Sequence, residues 1–257
     1  MGRVQLPGPS ISLRLFGFFT VTSASSGQPI HISSIKARGL LAFLAMHPGQ
    51  EFSRSELSKL LWSGSSGEGR HNLRQCKLAL QNDLKNEGAD LFISCRDTIG
   101  IRAGAISVDV IEFERLANSG DIEAAAELCE GDFLASGAPQ TEEFIEWVSR
   151  QQARLSLIGV SVFGSLARYY DMHGRGALAI RAAQRLVKFD VYREDSQRLL
   201  IELYARYNGR SVAIEHGERF SRMLSRELDV DVEPATRALI EAIRRGNLFA
   251  SLAVNAA

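Results

Sequence analysis

The sequence predicts a mainly α-helical fold with a small α+β module at its N-terminal end, and three observations carry that prediction. Apolar and polar residues alternate at Ile11, Leu13 and Leu15, and again through Phe92–Arg102, the period of half-buried strands. Between those stretches, residues 34–86 carry helical spacing, broken by Pro48-Gly49 and by a run of serine and glycine. From Asp109 onward the period is helical throughout, with Gly120, Gly137-Ala138-Pro139, Gly174 and Gly209 as punctuation.

Each element follows in chain order. Residues 1–10 hold Pro7, Gly8 and Pro9 and read as a loose arm. The strand at Ile11–Leu15 is interrupted at Gly17, resumes at Phe19 and Val21, and turns at Ser23–Pro29 into a third short strand with Ile30 and Ile32. Ser33 or Ser34 caps a helix that runs to about Met46, with Ala37, Leu40, Leu41 and Leu44 on its apolar face. Ser53 and Glu56, three apart, form a capping box for the next helix, whose inner face is Leu57, Leu60 and Leu61, with Trp62 a further candidate. The loop Ser63–Gly69 follows, then a third helix over about Glu68–Asn86. Leu73, Cys76, Leu80 and Leu84 are its docking face; Arg70, Arg74, Lys77 and Gln81 line an adjacent stripe. Phe92–Arg102 is a hairpin with the polar tip Arg96-Asp97-Thr98. Helices are then expected at about 109–118, 121–134, 141–173, 175–189, 193–207, 210–227 and 234–245. Leu166, Tyr170, Ala179, Ile180 and Leu186 return 34 positions later as Leu200, Tyr204, Ala213, Ile214 and Phe220, the period of tetratricopeptide-like (TPR-like) helix pairs.

The bulk numbers fit such a protein. The 257 residues are 45% hydrophobic and 23% charged, as in ordinary globular chains. No apolar run approaches the roughly 18–20 residues that span a bilayer, and no export signal is evident. Three cysteines without metal-ligand spacing (Cys76, Cys95, Cys129) suit a reducing cytoplasm, and Cys76 is expected to serve packing, with redox sensing as the alternative. The net charge of zero conceals an asymmetry. Residues 1–104 hold 12 Lys and Arg against 7 Asp and Glu, and the remainder hold 18 against 23. A basic front part joined to an acidic rear part points to a polyanion met by the first alone.

Catalytic patterns are missing. The sequence has no phosphate-cradling Gly-x-x-x-x-Gly-Lys-Ser/Thr loop, no His-Glu-x-x-His and no Gly-x-Ser-x-Gly. The five histidines are scattered. Asp229, Asp231 and Glu233 lack the further oxygen ligands and turn glycine of a calcium loop and read as an acidic lead into a helix beginning near Pro234. No enzyme, cofactor or metal is expected.

Helix, loop, basic helix and hairpin is the order of a winged helix-turn-helix, which makes double-stranded DNA the expected partner. A helix fits the major groove, where base edges carry a donor/acceptor code. Arg70 and Arg74 offer planar forks for guanine or for two phosphate oxygens, and Gln75 and Gln81 suit adenine. Lys77, Lys85, Arg96 and Arg102 suit phosphates, which position a module without reading sequence. A TPR-type interaction scaffold whose N-terminal module has lost DNA binding is the alternative reading.

Together these pieces resemble the SARP family of bacterial transcriptional activators (AfsR/DnrI type), which join an OmpR-type winged helix to a bacterial transcriptional activator domain. In the first module the resemblance rests on Leu13-Arg14-Leu15-Phe16-Gly17, Lys36–Ala45, Arg54, Leu57, Leu60-Leu61-Trp62 and Asn72-Leu73-Arg74-Gln75. In the second it rests on Asp109-Val110, Phe113–Leu116, Gly131–Leu134, Phe144, Trp147, Arg154-Leu155, Glu194, Arg198–Leu200, Tyr204, Glu227-Leu228 and Pro234, Thr236 and Leu239. It implies a DNA-binding domain over 11–104 and a TPR-like activator domain over 105–246. It also implies sequence-specific promoter binding as a homodimer on direct repeats, recruitment of RNA polymerase, and work in the cytoplasm at the nucleoid. Arg70–Lys85 becomes the recognition helix and about Leu91–Arg102 the wing. The loop with Ser63, Gly64, Ser65, Ser66 and Gly67 takes the place that touches polymerase in winged helices of this type. The resemblance calls for an apolar residue at Lys77, so either the helix is rotated or Lys77 stretches to a phosphate. Neither a receiver domain before the winged helix nor an ATPase domain after the helices is expected.

Overall fold

The computed structural model describes residues 8–62, 66–88 and 91–247. The expected N-terminal arm falls largely, and the C-terminal tail almost wholly, outside them. The chain divides into two compact units, Met1–Leu155 and Ser156–Ala257.

The first unit opens with strands β1 (Ile11–Arg14), β2 (Thr20–Ser23) and β3 (Pro29–Ile30). β1 and β2 run antiparallel with Leu13 opposite Val21. A strand the sequence reading lacks, β7 (Ile106–Val108), completes the sheet in the order β3-β2-β1-β7, lying parallel to β1 with Leu13 opposite Val108. Ile11, Leu13, Val21 and Val108 are buried while Ser12 and Arg14 are exposed, so the alternation fixes which face meets the core.

Helix α1 (Ile35–Ala45) starts at Ser34, whose hydroxyl accepts the Ala37 N–H. Ala37, Leu40, Leu41 and Leu44 are all buried. Helix α2 (Arg54–Leu61) carries the full capping box: Ser53 Oγ accepts from Glu56 N at 3.1 Å, and Glu56 Oε2 accepts from Ser53 N at 2.8 Å. Its core face is Leu57, Ser58 and Leu61, with Leu60 only half-buried. Ser58 is covered because α3 (Ser66–Leu84) crosses closely there: a β-carbon on Gly69 would lie 3.0 Å from that of Ser58. A short 3₁₀ turn (Lys85–Gly88) ends the third helix. Strands β4 (Glu51–Ser53), β5 (Phe92–Ser94) and β6 (Thr98–Ile101) form an antiparallel sheet in the order β4-β6-β5. The hairpin matches expectation; β4 is an addition.

Residues 105–155 belong to this same unit. Helix α4 (Asp109–Ser119) begins where β7 ends. The Asp109 carboxylate accepts the N–H groups of Leu15 (2.8 Å), Phe16 (3.0 Å) and Val110 (2.8 Å). Burial, opposed by these bonds, leaves its pKa raised. Helix α5 (Ile122–Leu128) stops six residues short of the expected 134. The chain instead joins the end of β1: Gly17 N donates to Asp132 O (2.9 Å) and Leu134 N to Leu15 O (2.8 Å). Gly131 has φ +120°, which a helix cannot contain. Trp147, on the long helix α6 (Glu142–Met172), packs edge-on against Phe43 of α1, ring centroids 5.2 Å apart. A β-carbon at Gly39 of α1 would sit 2.4 Å from Pro139, so the two segments touch where only glycine fits.

The second unit takes the C-terminal half of α6 and adds α7 (Gly176–Phe189), α8 (Glu194–Leu203), which passes into a π turn (Tyr204–Asn208), α9 (Arg210–Glu227) and α10 (Pro234–Arg245). The 34-residue echo marks successive helix pairs: Ala179 and Ala213 are both fully buried, and Leu166 with Leu200 and Leu186 with Phe220 are buried. Ile201, Ala213 and Ile243 form one buried cluster, joined by Leu239, and Phe220, Leu224 and Val232 another. Pro234 sits in the first turn of α10, as its fixed φ allows.

Candidate nucleic-acid interface

The buried row Leu73, Cys76, Leu80 and Leu84 holds α3 to the body of the first unit. That row fixes which residues face out. A helix advances about 100° per residue, so the opposite face lies two positions on from each buried residue. His71, Arg74, Gln75, Leu78 and Asn82 are exposed accordingly, as are Arg70 and Lys85. Lys77 and Gln81 are half-buried. The stripe expected from the sequence is therefore divided: Arg70 and Arg74 project outward, and Lys77 and Gln81 lie against the flank. His71, Leu78 and Asn82 also belong to the open face, beyond the residues the sequence points to.

Lys77 turns toward the hairpin. Its Nζ lies 5.5 Å from the centre of the Phe92 ring, a cation–π distance. Burial, and secondarily the charge of Arg54, lower its pKa. Contact with β5 thus explains a lysine where an apolar residue was expected: the stem packs and the cation rests on an aromatic face.

The hairpin is fastened to α2 by Arg54. Its backbone N–H donates to Asp97 O (2.9 Å). Its guanidinium donates to Arg96 O (3.0 Å), Cys95 O (3.2 Å) and Ser94 Oγ (3.3 Å). The fork so uses the tip's carbonyls and leaves the Arg96 side chain exposed, as is that of Arg102 at the end of β6. Thr98 adds a bond to Glu51 across β4 and β6. Among the described residues, no ion pair engages Arg70, Arg74, Lys77, Lys85, Arg96 or Arg102.

The segment before α3 differs from expectation. Ser66 and Gly67 form the first turn of α3 rather than a loop, and Ser63, Gly64 and Ser65 lie outside the described residues. The end of α2 is held by Lys36, whose Nζ donates to Leu61 O, and by Thr141 Oγ1, which donates to Leu60 O at 2.6 Å. Beneath α3, Cys76 is buried and its thiol is pushed up to about 12, mainly by desolvation. A buried thiol held in its neutral form packs as a small apolar group. Among the described residues no group of His, Cys, Asp and Glu could hold a metal ion, and no helix is long and apolar enough to cross a membrane.

Residues 108–244 match the family model described as bacterial transcriptional activator domain. The fold is similar to that of Mycobacterium tuberculosis EmbR, solved in complex with a low-affinity phosphopeptide, with a TM-score of 0.68 at 20% sequence identity. The match covers 92% of this chain and 65% of that one. No curated protein matches the chain in sequence. With a family model matched over more than half its length, behind a winged-helix module, the chain belongs to the bacterial transcriptional activator domain family.

Proposed function

We propose that the chain binds promoter DNA sequence-specifically through α3, with the β5–β6 hairpin as its wing, and activates transcription by recruiting RNA polymerase. The observation that carries this reading is an open helix face on which Arg70 and Arg74, engaged in no ion pair among the described residues, stand beside Gln75, next to a hairpin fastened so that Arg96 stays exposed. Arg74 and Gln75 suit base edges, and Arg70, Lys85, Arg96 and Arg102 suit phosphates. Lys77, occupied by Phe92, is assigned a supporting role. The winged helix of 11–104 reads the duplex while buttressed by 105–155. The activator domain, 105–246, supplies contacts to a second copy on direct repeats or to other partners, and the segment around Ser63–Gly67 faces polymerase at the nucleoid.

Titrating the full chain against its own upstream DNA at two salt concentrations tests the proposal. A specific shift that weakens with salt is expected. Arg74→Ala should cost about 1–3 kcal/mol on the specific site if its fork holds a guanine. A loss spread evenly over all sequences, with a shallower salt slope, moves Arg74 to the phosphate class. Binding that never exceeds that to random DNA overturns the proposal.

A further inference from the structure

The open face of α3 has an apolar centre. Leu78 is 45% exposed, whereas Leu73, Leu80 and Leu84 on the same helix are almost completely covered. A lone surface leucine is ordinary; its neighbours make this one informative. Helical spacing sets Arg74 and Gln75 one turn before it and Asn82 one turn after, all exposed. Guanidinium and carboxamide groups are the side chains that match purine edges in the major groove. An apolar group in their midst meets the one apolar feature that a base pair presents there, the C5-methyl of thymine. Four residues of helix rise about 6 Å, close to two base-pair steps, so Arg74 and Leu78 address pairs about two steps apart.

We infer that Leu78 is a specificity-determining residue that packs on a thymine methyl, placing a T·A pair within about two steps of the pair addressed by Arg74. The inference rests on the DNA-binding reading above and names part of the sequence read. A duplex covers Leu78 without any new protein surface, because its polar neighbours already face the same way.

The test uses the full chain and the duplex it selects from a random pool. Each thymine of that duplex is replaced in turn by deoxyuridine, which lacks only the methyl. At one position the wild-type chain should lose about fourfold in affinity, the worth of one buried methyl. Leu78→Ala, which withdraws the branched end from an exposed position and should melt like the wild type, should bind the thymine and uridine duplexes equally. Uridine duplexes that all bind the wild type as the thymine duplex does overturn the inference and leave DNA binding standing. So does a Leu78→Ala variant that keeps the same uridine penalty. A variant that loses polymerase recruitment with no uridine effect assigns Leu78 to a protein partner instead, against the inference. If the wild type selects no sequence at all, the DNA reading falls and takes the inference with it.

Discussion

His216 on α9 shows how one side chain ties stability to pH. Arg219 Nη2 lies 2.9 Å from its Nδ1, and a guanidinium can only donate, so Nδ1 is the acceptor. The ring proton therefore sits on Nε2, which donates to Gln197 Oε1 on α8 at 2.8 Å. The Tyr204 ring packs edge-on at 5.4 Å. Burial, and then the charge of Arg219, hold the imidazole below its ordinary pKa. The unfolded chain thus takes up this proton first. The contribution is complete above the unfolded value of about 6.5 and is lost as pH falls through it toward the folded value. The melting temperature should decline as pH is lowered across that range. The decline should flatten in His216→Gln, whose amide can accept from Arg219 and donate to Gln197 without titrating. Equal declines in the two proteins would remove His216 as the cause.

At the scale of elements, the Arg54 fork converts a two-stranded ribbon into a placed wing. The β5–β6 strands are three and four residues long, and an isolated hairpin is marginal in water. Arg54→Ala leaves the hairpin paired with β4 and keeps the backbone bond to Asp97 O but removes the three guanidinium bonds to the tip, so part of its ordering returns as a cost of binding. Affinity for the specific duplex should fall by about 0.5–1.5 kcal/mol, with faster amide exchange confined to the tip; an unchanged affinity would show that the wing takes no part. None of these bonds was legible in the sequence, because Arg54 and its acceptors lie about forty positions apart. The capping box of α2 and the buried row of α3 were legible, since both are local patterns. The open face of α3 was legible in principle. Following the polar stripe gives 70, 74, 77 and 81, three cations and a glutamine in a row only one position from the buried one and so at its border. Counting two positions on from the buried row gives 75, 78 and 82. Strands β4 and β7 escaped because three residues are too few to show a period; each exists through a partner strand already in place. The end of α5 escaped because its helical spacing runs on past the point where pairing with β1 captures the chain.

At the scale of the molecule, the compact division does not follow the boundary expected at 104. β7, the Asp109 carboxylate, the strand-like run through Phe133 and Trp147 all contribute to the unit that contains the winged helix. A fragment ending at 104 forfeits β7 and uncovers Leu15, Phe16 and the Phe43 side of α1. It should show a broad, low-temperature melt, whereas a fragment ending at Leu155 should unfold cooperatively. Matching cooperative transitions for both would show that residues 105–155 merely rest on the module. The distribution of thiols has a practical corollary. Cys76 and Cys129 are buried, and Cys95 alone among the three stands exposed, at the turn that Arg54 clasps. A maleimide fluorophore added to the wild-type protein will accordingly settle on the hairpin, giving an optical reporter of wing engagement without any engineered cysteine.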